Sequence, residues 1–176
     1  MSPLSYPNPN LTGDTDTAQR NVFFSFQDNR LRLTSQPFTI EFWLNPIGFT
    51  GYTTVFVNQP GTLNIGQGNY SYGNGNAVYF MRGSGTVQGF NPVGGRWTTP
   101  GWRHVAMTYN GSTMCAYING QYAFGNSSNS CVASSTVLDG SAMNRGVYIA
   151  DSAYDEFAFY DRALTQAQIA AHYAAR

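Results

Sequence analysis

A strict two-residue alternation that runs into an Asn-Gly pair is the feature that most constrains how this chain can fold. In residues 102–109 one face carries Trp102, His104, Ala106 and Thr108, and the other carries Arg103, Val105, Met107 and Tyr109. A period of two is typical of a β-strand. Asn110-Gly111 then predicts a type I′ hairpin turn, because both residues tolerate positive φ. The chain returns through 114–119, and a second Asn-Gly at 119–120 turns it again. The segment therefore predicts a three-stranded antiparallel meander.

His104 and Cys115 fall on neighbouring strands of this meander, where an imidazole could activate a thiol. No Asp or Glu lies in the segment to orient the imidazole. A nucleophile and a base without that third group leave most roles of an active site unfilled. We therefore expect His104 to be a structural residue, and we predict no catalytic residues.

The composition points to a single all-β domain. The 176 residues are enough for one domain with a real core. Twelve Phe and twelve Tyr favour strands, and 19 Gly suit many tight turns. An all-β sandwich or barrel is expected.

Charge is unusually sparse. Only 10% of the residues are charged, the formal net charge is zero, and all nine basic residues are Arg. One reading is a general compositional bias against Lys. The other is that much of the surface is buried in an assembly, because interfaces are enriched in Arg and Tyr and depleted of Lys and Glu. The arginines are scattered, which argues against a nucleic-acid partner.

Neither a membrane span nor a signal peptide is expected from the sequence. It has no apolar run long enough to span a bilayer. The start MSPLSYPNPN has neither the basic residues nor the apolar stretch of a signal peptide.

The two cysteines leave two alternatives open. Cys115 and Cys131 could form a disulfide that closes a loop of about fifteen residues, worth about 3 kcal/mol in the chain-entropy model. They could equally be free thiols, because nothing in the sequence proves an oxidising compartment. Two Cys and two His far from any ligand spacing exclude zinc.

The ends of the chain differ from its middle. Residues 1–20 carry three prolines and no hydrophobic period, so we expect an extended N-terminal arm before a domain at 21–176. The arm would either wrap its own domain or dock on a neighbour. At the other end, Thr165 and Gln168 predict a capping box, and Leu164 and Ile169 a hydrophobic staple, for one short helix.

The remaining strands follow from short apolar runs. Residues 21–26 and 31–33 predict a first hairpin. Residues 38–45 alternate, which places Phe38, Ile40, Phe42 and Leu44 inward, and Pro46 ends the strand. Two loops between later strands carry the side chains that a sugar site needs, because a pyranose face packs on an aromatic ring while polar groups take the hydroxyls. The candidates for binding a glycan are Tyr70, Tyr72, Asn74, Arg96 and Trp97. Ordinary loop packing is the alternative for these side chains.

Three segments together resemble the laminin-G-like, concanavalin-A-like jelly-roll modules. They are PFTIEFWLNP (37–46), WRHVAMTYNGST with AYING (102–113 and 116–120), and YDEFAFYDRALTQAQI (154–169). The resemblance implies a two-sheet antiparallel jelly-roll sandwich with one short C-terminal helix. It also implies a non-catalytic binding module for glycans or proteins, of a kind that occurs in phage and virus structural proteins too.

Relatives of this fold include glycoside hydrolases, whose carboxylates are missing here. The glucanase pattern E-x-D-x-x-E aims two Glu and an Asp into one cleft, and retaining hydrolysis needs two close carboxyls. This chain has only two glutamates, Glu41 and Glu156, on different predicted strands. A glycosidase is therefore not expected.

The resemblance also raises the question of calcium. Many members of the family hold Ca²⁺ at the rim of a sheet, and Asp155 and Glu156 match the acids of their closing strand. Gln27 stands where an early Asp is usual, with Asp28 beside it. A calcium site from Asp28 and Asp155 is one reading, and structural acids are the other, because Ca²⁺ takes six to eight oxygens.

Two functions follow as expectations. The first is a non-enzymatic virion surface component, such as a capsid decoration protein or a part of a tail fibre, that docks through the arm and forms a homo-oligomer. The second is a carbohydrate-binding, lectin-like module that recognises surface glycans. In either case we expect a location on a virion surface or outside cells, with no cofactor other than calcium.

Overall fold

The structure of the chain is a computed structural model. It describes residues 19–20, 23–32, 36–46, 52–58, 63–68, 77–82, 87–91, 101–125, 131–133, 142–148 and 152–175. Side chains are described within 36–45, 101–123, 131 and 153–175.

Short strands followed by one helix make up the described chain. They are β1 (Gln19–Arg20), β2 (Phe23–Arg32), β3 (Phe38–Pro46), β4 (Tyr52–Asn58), β5 (Leu63–Gly68), β6 (Ala77–Arg82), β7 (Val87–Asn91), β8 (Arg103–Tyr109), β9 (Thr113–Ile118), β10 (Gln121–Tyr122), β11 (Phe124–Gly125), β12 (Cys131–Ala133), β13 (Ala142–Tyr148), β14 (Ser152–Tyr160) and α1 (Gln166–Ala174). The all-β architecture with a short C-terminal helix is as predicted.

The larger sheet has seven strands. Its order is β1-β14-β3-β8-β9-β10, and β12 also pairs with β9. The predicted meander is confirmed, because β8 pairs with β9 and β9 with β10, both antiparallel. Gln19 of β1 pairs with Tyr154, so the last two residues of the predicted arm form an edge strand of this sheet.

Two further sheets contain the other strands. The five-stranded sheet has the order β11-β7-β6-β5-β4, and β2 pairs with β13. The predicted hairpin at 21–33 is wrong, since β2 is one strand from Phe23 to Arg32 that pairs with β13. The pairing shifts register between Asp28 and Arg32, and the polar residues Asn29 and Arg30 of this stretch separate the two apolar runs that predicted two strands.

The centre of the larger sheet is buried on both faces. Alternate residues of β3 and β8 supply one buried set: Phe38, Ile40, Phe42, Leu44, Val105, Met107 and Tyr109. The opposite face of the same strands is buried as well, in Thr39, Glu41, Trp43, His104, Ala106 and Thr108. On that face Ala106 and Tyr117 form an apolar cluster with Leu164 and Ile169, which precede and belong to α1. The helix therefore covers this face of the sheet.

The two Asn-Gly turns differ. Asn119 and Gly120 both have positive φ, at 52° and 73°, as a type I′ turn requires. The type I′ prediction for Asn110-Gly111 is wrong. Among the described non-glycine residues only Asn119 and Glu156 have positive φ. The Asn110 side chain instead accepts hydrogen bonds from the N–H groups of Ser112 and Thr113, at 3.0 and 2.8 Å, which closes a longer loop.

The helix begins as the sequence predicts. Thr165 is the N-cap of α1, its hydroxyl accepts from the N–H of Gln168, and the Gln168 side chain accepts from the N–H of Thr165. This is the predicted capping box. No helix in the described part of the chain is long and apolar enough to cross a membrane.

Candidate functional site

A buried carboxylate beneath α1 collects polar side chains from three other elements. Glu41 lies on β3 and is only 5% exposed. Its Oε1 accepts a hydrogen bond from the Tyr160 hydroxyl at the end of β14, at 2.7 Å. The same oxygen lies 2.9 Å from Nδ1 of His172 on α1. Its Oε2 lies 3.5 Å from Nε2 of His104 on β8, which is longer than a normal N–H···O hydrogen bond. We call Glu41, His104, Tyr160 and His172 the Glu41 cluster.

His104 is held in place mainly by its surroundings. It is 3% exposed, and its ring packs against those of Trp43 and Tyr173, with centroids 5.3 and 6.3 Å away. Its Nδ1 is buried without a hydrogen-bond partner among the described residues. The backbone N–H of His104 donates to Oδ1 of Asn119 at 2.9 Å.

The acid near His104 could not be found in its own segment. Glu41 belongs to β3, where it pairs with Ala106, two residues beyond His104. The prediction considered only acids within the meander and therefore did not include Glu41. The available signal was that β3 alternates, so that Glu41 shares a face with Thr39 and Trp43.

Opposing effects act on the Glu41 carboxyl. Burial raises the pKa of Glu41, because the charged form loses water. The interactions with His104 and Tyr160 and the charge of His172 lower it more, and the net pKa lies below the ordinary value of 4.5. Burial, followed by Glu41, raises the pKa of Tyr160 to about 12. The cluster thus favours an ionised Glu41 beside a protonated phenol.

The two cysteines are joined. Cys115 on β9 and Cys131 on β12 form a disulfide with an S–S distance of 2.09 Å, and the two residues are paired across the strands. Of the alternatives open in the sequence, the structure contains the bridged one. Cys115 is therefore no free thiol for His104 to activate.

The glycan candidates lie outside the described residues. The strands that flank them are described, and their register brings the flanking ends together. Gly68 at the end of β5 pairs with Ala77 at the start of β6, and the neighbouring Val78 pairs with Phe90 near the end of β7. The described strand ends that precede 69–76 and 92–100 in the sequence therefore lie at the same end of the five-stranded sheet.

The described residues do not assemble a calcium site. No group of three or more His, Cys, Asp or Glu that could hold a metal occurs among them. Oδ1 of Asp155 accepts a hydrogen bond from the N–H of Glu156 at 3.0 Å. Asp28 lies on β2, which pairs with β13 and not with β14, and its side chain lies outside the described set. Calcium at Asp28 and Asp155 remains a prediction.

A family model covers most of the chain. The Laminin_G_3 model, described as the concanavalin A-like lectin/glucanases superfamily, matches residues 17–170. No curated protein sequence matches the chain.

Solved structures show the same fold at low identity. A Bacteroides ovatus protein described as a candidate carbohydrate-binding protein matches with a TM-score of 0.69 and 15% identity, over 87% of this chain and 45% of that one. The binding domain of botulinum neurotoxin DC in complex with SialylT gives 0.57 and 16%, over 80% and 35%. The sialidase of Trypanosoma rangeli gives 0.58 and 15%, over 89% and 27%. This chain spans less than half the length of each, and the likeness establishes the concanavalin-A-like β-sandwich fold.

Proposed function

Because the chain belongs to the Laminin_G_3 family of concanavalin A-like lectins and glucanases, we propose that it is a non-catalytic, glycan-binding module. Two of the similar structures support a carbohydrate ligand by their descriptions, the Bacteroides ovatus protein and the neurotoxin domain bound to SialylT. The sialidase resembles this chain over 27% of its own length and at 15% identity, which gives no support for a shared reaction.

The observation that carries this proposal is the common end of β5, β6 and β7. Both segments with sugar-binding candidates follow strand ends that lie there, one with Tyr70, Tyr72 and Asn74 and the other with Arg96 and Trp97. An aromatic ring from one segment and polar groups from the other would offer a stacking surface with hydroxyl partners at its edge.

The positions of the two glutamates favour binding over hydrolysis. Glu41 is buried under α1, and its carboxylate already contacts the Tyr160 hydroxyl and the rings of His104 and His172. Glu156 lies exposed on β14 at an irregularity in the pairing with β3. A retaining glycosidase needs two carboxyls that face one cleft, and a buried and an exposed glutamate do not supply such a pair.

The test is glycan binding by variants of the two segments. The purified protein is first screened against an array of glycans, and the affinity for the best ligand is then measured by calorimetry. We expect Trp97→Ala and Tyr70→Ala each to weaken binding about tenfold, which corresponds to about 1.4 kcal/mol. The matched controls Trp97→Phe and Tyr70→Phe keep an aromatic ring and should bind within about threefold of wild type.

Two results would count against the proposal. One is that no glycan binds to a folded protein. The other is that the alanine variants bind as tightly as wild type, which would remove the site at this end of the sheet while leaving a glycan ligand in place.

The expected virion role has no support from the family match or from the solved structures named above. A capsid or tail partner and a homo-oligomer therefore stay predictions. Light scattering of the purified protein tests the oligomer directly.

A further inference from the structure

The C-terminal helix is attached to the sheet by few side chains. Ile169 is its only buried residue among those described, and it packs with Leu164, Ala106 and Tyr117. At the other end of the helix, the Tyr173 ring lies 5.8 Å from that of Trp43. A helix of nine residues with so small an apolar contact has little stability of its own, so its position depends on the contacts beneath it.

The polar contact beneath the helix is a buried charge. His172 bonds Glu41 from above at 2.9 Å, and its own side chain is 38% exposed. The other groups that face the carboxylate are His104 from β8 and Tyr160 from β14, with Arg162 close enough to act on Tyr160 by its charge. Tyr173 on α1, Tyr117 on β9 and Tyr122 on β10 are further titratable groups packed nearby. Glu41 is the only acid in this group.

The contact beneath the helix loses its charge when Glu41 takes up a proton. With Glu41 ionised, one buried carboxylate accepts the hydrogen bond of Tyr160 and lies against both histidine rings. Hydrogen bonds to an ionised group are about twice as strong as those between neutral groups. Protonation also turns one of the two Glu41 oxygens into a donor, and both oxygens lie against these side chains. The contact that joins His172 of α1 to the sheet therefore weakens when Glu41 is neutral.

We propose that the Glu41 cluster is an acid-sensitive latch: protonation of Glu41 releases α1 from the larger sheet before the sheet itself unfolds. The release breaks the His172–Glu41 contact and uncovers the face that contains Trp43, Ala106 and Tyr117. The sheet is held by its backbone strand pairing and by the buried set on its other face, which contains no acid. The inference does not depend on glycan binding.

The opening of α1 can be measured against that of the sheet by hydrogen exchange. Amide exchange in 166–174 is compared with exchange in 103–109 at about pH 6.5 and about pH 3.5, after correction for the intrinsic rates. We expect protection of the helix amides to fall at least about tenfold more than that of β8 on acidification. Glu41→Gln removes the charge at constant shape and should give a poorly protected helix at both pH values.

The chain supplies a matched control. Glu156→Gln makes the same chemical change in the only other glutamate, which lies exposed on β14, and it should behave as wild type. His172→Gln removes the contact from the helix side, at a partly exposed position, and should abolish most of the pH dependence of helix exchange.

The outcomes separate the latch from a general loss of stability. Parallel loss of protection in α1 and β8 in the wild-type protein would overturn the proposal without any variant. An undiminished pH dependence in His172→Gln would overturn it as well. Should Glu41→Gln fail to fold, the wild-type comparison and His172→Gln still decide the question.

Discussion

Gly120, in the second turn of the meander, lies close to the C-terminal helix. Its φ is +73°, and a Cβ placed there would lie 2.9 Å from Cα of Ala170 and 3.4 Å from Cβ of Tyr173. We expect Gly120→Ala to lower the free energy of unfolding by about 2–4 kcal/mol, because the positive φ is strained and the helix backbone must move. Urea denaturation measures the loss.

Gly101→Ala is the control that separates these two causes. Gly101 also has a positive φ, +150°, but a Cβ there would meet nothing within 4 Å. Its cost should be about 1 kcal/mol, from the backbone alone. Equal losses in both variants would show that the close approach to the helix contributes nothing.

Single residues also show which features the sequence predicts and which it does not. Alternation assigned Phe38, Ile40, Phe42 and Leu44 correctly to the core, because a strand face needs only local periodicity. The meeting of Glu41 with His172 spans 131 positions, and nothing local to either residue encodes it. The bridged Cys115 was left open for a similar reason, since spacing does not determine redox state.

Thr39 connects two elements that lie far apart in sequence. Its hydroxyl donates to the carbonyl of Arg162 at 2.8 Å and accepts from the N–H of Leu164 at 2.9 Å, so β3 fixes the segment that leads into α1. Thr39→Val keeps the shape and removes both bonds. We expect a loss of about 2–3 kcal/mol in unfolding free energy, because a buried N–H is left without its acceptor.

A second strand threonine provides the comparison. The Thr113 hydroxyl has a weak 3.5 Å contact with that of Ser112. Thr113→Val should change the stability by less than about 0.5 kcal/mol. If both valine variants unfold at the same urea concentration, the bridge from Thr39 to the helix is not a stabilising element.

Elements were predicted well where their signals are local. The capping box at Thr165 and Gln168 needs only four residues, and it was found. The first hairpin was predicted from two apolar runs, whereas β2 passes through the stretch between them and pairs with β13 on both sides of a register shift. Asn110 shows the same limit of local prediction. Asn-Gly correctly predicts a turn, but the type of turn depends on the hydrogen bond that the Asn110 side chain accepts from the N–H of Thr113.

At the scale of the whole molecule, composition and motifs were sufficient for the fold and insufficient for the ligand. Abundant aromatic residues and glycines, together with the three matching segments, predicted the concanavalin-A-like sandwich that the family match establishes. The ligand depends on side chains at loop tips, whose geometry is not set by strand periodicity. The sparse charge likewise fits more than one kind of partner, so it does not distinguish a virion partner from a glycan ligand.

The buried ionisable groups together predict how the stability of the molecule varies with pH. Glu41 has a folded pKa below its ordinary value of 4.5, so its contribution is present above that pH and is lost as the pH falls through the folded pKa. Tyr117 and Tyr160 have pKa values raised to about 12, Tyr117 first by burial and Tyr160 by burial and Glu41. Their contribution is present below about pH 10 and is lost as the pH rises toward 12. Unfolding free energies measured in urea across the pH range should therefore form a plateau between these limits. Tyr160→Phe should make the alkaline decline in unfolding free energy shallower, and the decline in acid should still depend on Glu41. An unchanged alkaline decline in that variant would contradict the assignment to Tyr160.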